Sequence, residues 1–162
     1  MLMLKEMIDI YSIDIDKLYG DTELSPHMED YIETIAVLSK HNRVVRVKDI
    51  AAELKIKMPS VTSALNKLKE MNLIDYEKYG YVELTEEGKI VADMVLSRHV
   101  CLTEFFSQVL KLPRDKAENE ACKIEHHITP ELCKRIHKFL LYFKKEESQG
   151  QNWTSEISNL LK

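Results

Sequence analysis

Glycine and proline are both scarce in this chain, with four residues of each among 162. Together with 44% hydrophobic and 31% charged residues, this scarcity predicts a helix-rich globular protein. No apolar run approaches the roughly 20 residues that a membrane span requires. The first twenty residues also lack a basic segment followed by an uninterrupted apolar one. We therefore expect no signal peptide, no membrane partner and a cytoplasmic location.

Cysteine is rare as well. The three cysteines, Cys101, Cys122 and Cys133, make an odd number and show no disulfide-like spacing. In a reducing compartment we expect all three to be thiols, so at least one of them is free to act as a metal ligand.

The net charge of -4 argues weakly against nucleic-acid binding, but the charge is unevenly distributed. Residues 43–78 contain eight lysines and arginines against five acidic residues, so this segment carries +3 and the remainder carries -7. A basic segment in an otherwise acidic protein is where contacts with phosphates are expected.

The order of predicted elements around this segment is typical of a winged helix-turn-helix. A helix begins at Ser25-Pro26, the short extended stretch "VVRV" follows, and "KDIAAELKI" and "MPSVTSALNKLKE" predict two further helices. The alternation in "LIDYEKYGYVEL" then predicts a hairpin. In this fold the second helix of the turn enters the major groove of DNA. The candidate DNA contacts on that helix and on the hairpin tip are Lys57, Ser60, Thr62, Ser63, Lys67, Lys78 and Tyr79. The alternative is an ordinary helical subdomain with a solvated lysine face.

The sequence pattern predicts helices for the rest of the chain. Thr85 caps a long helix to about residue 110, "PRDKAENEACKIEHHI" predicts the next helix, and Thr129-Pro130 starts another. The fold class is therefore mainly α. We expect an N-terminal extension over 1–24 and a winged helix-turn-helix DNA-binding domain over 25–90. An all-helical domain over 91–145 and a C-terminal tail with a short helix over 146–162 would follow.

The stretch "EACKIEHHIT" places three possible metal ligands close together. Cys122, Glu125 and His126 stand at i, i+3 and i+4, which are neighbouring positions on a helix, and Glu118 lies one turn earlier. Thiolate, carboxylate and imidazole together suit a divalent transition metal. Candidate ligands elsewhere in the chain are Asp30, Glu33 and His99.

Each of these residues also has a purely structural interpretation. An acidic pair near a helix start compensates the helix dipole, and a lone cysteine or histidine commonly packs in a core. The pattern Cys122-x-x-Glu125-His126 also resembles the His-x-x-Glu-His of zinc peptidases, but nothing else in the sequence offers a substrate cleft or oxyanion donors. Three hypotheses stay open: a metal-activated DNA-binding regulator, a metal-independent winged-helix regulator, and a metal-binding hydrolase.

Taken together, the segments resemble one known family. "SPHMEDYIETIAVL", "VKDIAAELKIKMPSVTSALNKL", "YVELTEEG", "SRHVCLTEFF" and "EACKIEHHITPE" follow in the order found in the diphtheria-toxin-repressor and manganese-transport-regulator family. The resemblance covers roughly residues 25–143. It implies a helical dimerisation domain after the winged helix, and metal-loaded homodimers that bind palindromic operators and repress metal-uptake genes. It implies neither enzymatic activity nor a small-molecule substrate. Residues 1–24 have no counterpart in it.

The resemblance also implies a mixed ligand set. Asp30 and Glu33 match the manganese-type pattern, whereas Cys122 matches the iron-type pattern. Glu125, His126 and His99 match ligand positions in both types, although His99 belongs to a different site in each. Because a thiolate favours metals later in the stability order, we expect Fe²⁺ to be preferred over Mn²⁺, with Zn²⁺ or Co²⁺ able to substitute in vitro.

Two positions depart from the iron-type pattern, in which a second, ancillary metal site is expected. Thr103 stands where a glutamate is expected, and Glu118 stands where a histidine is expected. Glu104 is adjacent to Thr103 but is turned by about 100° around the helix. The resemblance therefore does not predict a second metal site for this chain.

Overall fold

The computed structural model describes residues 10–11, 15–20, 22–77, 80–150 and 153–161. The helices are α1 (Ile15–Leu18), α2 (Pro26–His41), α3 (Val47–Glu53), α4 (Met58–Glu70), α5 (Glu86–Glu104), α6 (Arg114–Ile124), α7 (Pro130–Ser148) and α8 (Trp153–Leu160). The strands are β1 (Ile74–Tyr76) and β2 (Val82–Leu84), and a π-helical segment, Phe105–Val109, continues α5. No helix in the described part of the chain is long and apolar enough to cross a membrane. The mainly α fold with a winged helix-turn-helix is confirmed.

The chain divides into two compact units, one of which comprises residues 22–95. In this unit α2, α3 and α4 pack around Ile32, Ile35, Ile50, Leu65 and Leu68, none of which is exposed. These positions recur every three or four residues, so each helix presents one apolar face to a shared core. Ser25 occupies the N-cap position of α2, but its side chain makes no capping hydrogen bond.

The wing of this unit is a two-stranded antiparallel hairpin. Ile74 pairs with Leu84 and Tyr76 with Val82, and Val45 makes an additional bridge to Val82. The predicted hairpin is therefore present, although Lys78 and Tyr79 at its tip lie outside the described residues.

Helix α5, which follows the hairpin, starts in close contact with the backbone of Leu73, the residue just before β1. Thr85 accepts a hydrogen bond from the backbone N–H of Gly88 at 3.0 Å, which confirms the predicted cap. A Cβ on Gly88 would lie 1.8 Å from the carbonyl oxygen of Leu73. Only glycine allows this close approach without a backbone shift.

The other unit combines residues 1–21 with residues 96–162. Its central element is the end of α5, where every residue from Leu96 to Glu104 is buried. Helix α7 buries Cys133, His137, Leu140 and Phe143, and the N-cap Thr129 accepts a hydrogen bond from the N–H of Leu132, as the Thr129-Pro130 signal predicted.

The N-terminal extension contributes to this second unit. Ile10, Leu18 and Tyr19 are 1%, 4% and 2% exposed, so they belong to its core. The Tyr19 hydroxyl lies 2.9 Å from Nδ1 of His137, a contact between residues 118 positions apart. Lys134 on α7 also pairs with Asp16 at 2.9 Å. These contacts give a structural role to a segment that the sequence left without one.

Candidate metal centre and nucleic-acid interface

Helix α4 presents a polar face to solvent, as the DNA-reading helix should. Val61, Ala64, Leu65 and Leu68 are buried, and this spacing leaves the positions between them outside the core. The predicted contacts Lys57, Ser60, Ser63 and Lys67 are all exposed. Thr62 is half-buried, and its hydroxyl donates a hydrogen bond to the carbonyl oxygen of Met58 at 3.1 Å. The donor of this hydroxyl is therefore used within its own helix.

An open groove of about 940 Å³ runs beside this face within the winged unit. The start of α2 borders it with Ser25, His27 and Tyr31, and α4 borders it with Ser60, Ser63 and Lys67. The lining also includes the carboxylate of Asp30 and apolar side chains, so within this groove it is the α4 side that combines hydroxyl and ammonium groups suited to a phosphate backbone.

The base of the wing carries a contact that the sequence did not predict. The guanidinium of Arg46 lies 5.6 Å from the centre of the Tyr81 ring, and Tyr81 is 53% exposed. The backbone N–H of Arg46 donates to the carboxylate of Asp49, which anchors the start of α3. In the sequence, Arg46 was only one of the eight lysines and arginines counted in residues 43–78. Nothing there distinguished it from the other seven.

Two predicted ligands, Asp30 and Glu33, lie on α2 of the winged unit, and both side chains are half-buried. Oδ2 of Asp30 lies 3.7 Å from Nδ1 of the exposed His27. Burial, together with the nearby charge of Asp30, raises the pKa of Tyr31. Neighbouring Glu29 is 3% exposed and accepts a hydrogen bond from Thr22 at 2.5 Å, so the three acidic residues of this helix differ in environment.

Three predicted ligands meet in the other unit. Nδ1 of His99 lies 2.6 Å from Oε2 of Glu125, and the two side chains are 3% and 1% exposed. Nε2 of His126 lies 3.6 Å from Oε1 of the same carboxylate, and His126 is 10% exposed. His99 comes from the buried end of α5, and Glu125 is the C-cap of α6. The packing of these two helices therefore brings together residues 26 positions apart in sequence.

The chemistry of this cluster fits a divalent metal ion. Oε1 of Glu125 is buried and has no hydrogen-bond partner among the described residues, and the 3.6 Å contact with His126 is longer than a hydrogen bond. A buried carboxylate with an incompletely compensated oxygen is costly. Imidazole nitrogen and carboxylate oxygen are donors that first-row divalent metals accept.

Cys122 differs from its predicted companion Glu125 in burial. Helix α6 is assigned to Ile124, but Glu125 still has α-helical backbone angles and its N–H bonds to the Ala121 carbonyl at 2.9 Å. Glu125 therefore keeps the helical position three residues after Cys122, but it is buried whereas Cys122 is exposed. Burial raises the pKa of the other two thiols, Cys101 to about 11 and Cys133 to about 12, which leaves Cys122 as the accessible cysteine.

Glu118, the less certain candidate ligand, contacts an arginine. Nε of Arg114 donates to Oε1 of Glu118 at 3.1 Å, and NH1 of the same guanidinium donates to Oε1 of Glu104 at 2.5 Å. Thr103 is fully buried. At the two departing positions the chain therefore has a buried hydroxyl, Thr103, and a carboxylate paired with an arginine, Glu118.

Both halves of the chain match models of known protein domains. The DNA-binding domain model of the iron dependent repressors matches residues 23–82, and their metal binding and dimerisation domain model matches residues 85–154. The transcriptional regulator MntR of Bacillus velezensis is 35% identical over 131 residues, which are 81% of this chain and 92% of that protein. The chain belongs to the diphtheria-toxin-repressor and manganese-transport-regulator family. Members of this family are metal-dependent transcriptional regulators and not enzymes.

Solved structures of this family share the fold. IdeR of T. acidophilum superposes with a TM-score of 0.62 at 27% identity, covering 68% of this chain and 52% of that one. The manganese regulator SloR superposes with a TM-score of 0.63 at 28% identity, covering 74% of this chain and 55% of that one. The chain thus spans about half the length of these two structures. The resemblance recognised from the sequence is confirmed.

Proposed function

We propose that this protein is a metal-activated repressor that binds palindromic operators of metal-uptake genes as a homodimer in the cytoplasm. One observation carries the proposal: His99, Glu125 and His126 form a buried cluster of suitable donors inside the segment that matches the metal binding and dimerisation domain. The exposed polar face of α4 supplies the DNA-reading surface. Neither half requires a substrate cleft, so the proposal includes no enzymatic activity.

The proposed ligand set is Asp30, Glu33, His99, Cys122, Glu125 and His126. Asp30 and Glu33 are included because they match ligand positions of the family and stand at i and i+3 on α2. The other four belong to the domain that the family model describes as metal-binding.

The switch in this proposal is electrostatic. A bound divalent cation supplies positive charge and a fixed set of coordination directions. Without that charge the carboxylates of Asp30, Glu33 and Glu125 repel one another, which disfavours any arrangement that brings them together. When their charge is compensated, the two DNA-reading helices of a dimer can be held about 34 Å apart, the spacing of successive half-sites. A coupling of about 1–3 kcal/mol is sufficient, since it changes DNA affinity by roughly 5–150-fold.

The test is DNA binding measured by fluorescence anisotropy under anaerobic conditions. A duplex selected by the protein from a randomised pool in Mn²⁺ serves as the probe. Affinity is compared in chelator, Fe²⁺, Mn²⁺ and Zn²⁺ at fixed salt, because phosphate contacts make affinity steeply salt-dependent. We expect tight binding only with metal. Equal affinity in chelator would identify a metal-independent regulator instead.

Two neighbouring histidines provide a matched pair of variants. His126→Ala removes a candidate donor that is 10% exposed, whereas His127→Ala removes an exposed histidine one residue further on. We expect the first variant to lose the metal response and the second to retain it. The proposed site is wrong if both variants respond to metal as the wild type does.

We further propose that Fe²⁺ is preferred over Mn²⁺, because Cys122 adds a thiolate to an otherwise oxygen- and nitrogen-rich set. SloR, a structural neighbour, is described as a manganese regulator, and the Cys122 side chain is exposed, so the preference needs its own experiment. Cys122→Glu should shift the Fe²⁺ to Mn²⁺ affinity ratio toward manganese, and Cys122→Ser should weaken Fe²⁺ binding. An unchanged ratio in both variants would remove Cys122 from the ligand set.

A further inference from the structure

Three charged side chains meet where α5 and its π-helical continuation face the start of α6. Glu104 is the last residue of α5 and is 1% exposed, although it is a carboxylate. Arg114 is the first residue of α6, and Glu118 lies one turn later with 9% of its side chain exposed. Arg114 donates to both carboxylates, at 2.5 Å to Glu104 and at 3.1 Å to Glu118. A single guanidinium thus joins two nearly buried acids.

The remaining oxygen of Glu104 is also occupied. Its Oε2 accepts hydrogen bonds from the side-chain amide of Gln108 and from the hydroxyl of Tyr11 at 3.5 Å. Both oxygens of this buried carboxylate therefore have donors from the protein, which is the condition under which a buried ion pair is tolerated. Burial alone lowers the pKa of Arg114, but the hydrogen bonds with Glu104 and Glu118 outweigh it and raise that pKa, so the guanidinium stays charged.

These residues do not fit the second metal site of the iron-type pattern. Thr103 offers only a hydroxyl where a carboxylate is expected, and it is fully buried. Glu118, at the other departing position, is held by Arg114. A divalent ion between Glu104 and Glu118 would have to displace a cation that already neutralises them, or else lie beside it against charge repulsion.

We infer that Arg114 is a built-in cation for Glu104 and Glu118, and that these two carboxylates consequently bind no divalent ion. The inference rests on the proposed function, since that function places metal binding at the His99–Glu125 cluster. The positive charge that a second ion would bring is supplied permanently by the chain itself. This end of the unit is therefore preassembled and does not respond to metal concentration.

The test is the stoichiometry of Mn²⁺ binding to the full-length chain, measured by the electron paramagnetic resonance signal of free Mn²⁺ and by isothermal titration calorimetry. The wild type sets the reference number of ions per subunit, which Glu118→Gln should leave unchanged. Arg114→Met removes the charge while keeping an unbranched apolar side chain, and it should add one ion per subunit. Arg114→Lys keeps a cation at this position and should bind as many ions as the wild type. Arg114→Met combined with Glu118→Gln should return to the wild-type number.

The outcomes separate this inference from the proposed function. No Mn²⁺ bound by the wild type would overturn the proposed function. Loss of one bound ion when Glu118→Gln is introduced into the wild type would overturn the inference alone. A folded Arg114→Met variant that binds no more ions than the wild type would show that the arginine does not exclude one. Circular dichroism and thermal melting establish whether that variant folds. If it does not, Arg114→Gln, which can still donate to a carboxylate without carrying charge, takes its place with the same expectation.

Discussion

The contact between Tyr19 and His137 gives a quantitative test of how the N-terminal extension is held. The residues are 2% and 0% exposed, and the hydroxyl lies 2.9 Å from Nδ1 of the imidazole. Tyr19→Phe removes only the hydroxyl and retains the ring that packs edge-on against His137, with ring centres 5.6 Å apart. The variant therefore removes this buried hydrogen bond, together with the contact between the hydroxyl and the Cys101 thiol.

Loss of that bond leaves a buried polar group without its partner, which costs about 1–3 kcal/mol. In a chain of this size each kcal/mol lowers the melting temperature by about 2–4 °C. We therefore expect Tyr19→Phe to melt roughly 2–12 °C below the wild type, measured by differential scanning calorimetry. We also expect faster amide hydrogen exchange in residues 15–20, because the segment opens more often.

The matched control is Tyr142→Phe. Tyr142 lies on the same helix as His137 but is 54% exposed, so loss of its hydroxyl should change the stability by less than about 0.5 kcal/mol. A melting temperature of Tyr19→Phe equal to that of the wild type would refute the reasoning, because the extension could not then depend on this buried contact. A loss in Tyr142→Phe as large as in Tyr19→Phe would show that hydroxyl removal on its own explains the change.

Three further predictions follow from single features of the molecule. Burial lowers the pKa of His137 below its ordinary value of 6.5, against a smaller opposing effect of a backbone hydrogen bond with Ile10. Its contribution to the free energy of unfolding is therefore fully present above pH 6.5 and is lost as the pH falls through the folded-state pKa, because only the unfolded chain takes up the proton readily. Urea unfolding between pH 7.5 and 5 should show this loss, and His137→Gln should reduce it. Gly88→Ala should cost about 2–4 kcal/mol in urea unfolding, because the new Cβ meets a backbone oxygen that cannot move independently, and a neutral result would contradict the described turn. Lys67→Ala should lower the slope of log affinity for DNA against log salt by about 0.9, whereas Lys89→Ala, which removes a lysine paired with its neighbour Glu86, should leave the slope unchanged.

The local part of this fold was readable from the sequence because the signals that produce it are local. Thr85 and Thr129 cap the helices that they were predicted to start, since a side-chain oxygen needs only the N–H three residues later. The apolar spacing in α4 identified both its buried face and the exposed polar face that we propose reads DNA. The wing followed from alternation over a few residues.

Candidate metal ligands could be named from the sequence, but their environments could not. Spacing places Cys122, Glu125 and His126 at neighbouring positions around the end of α6, but it does not show that Glu125 is buried while Cys122 stays exposed. Which side of a helix is buried depends on the element packed against it, here the end of α5 that carries His99.

Other relations were decided only by tertiary structure, because they join residues far apart in the chain. Tyr19 meets His137 across 118 positions, and Glu104 meets Arg114 because the chain reverses between α5 and α6. Sequence patterns report the neighbours that helical and strand periodicity place side by side. Burial of an acid together with the cation that compensates it depends on the three-dimensional packing of separate elements, so only the folded chain reveals it.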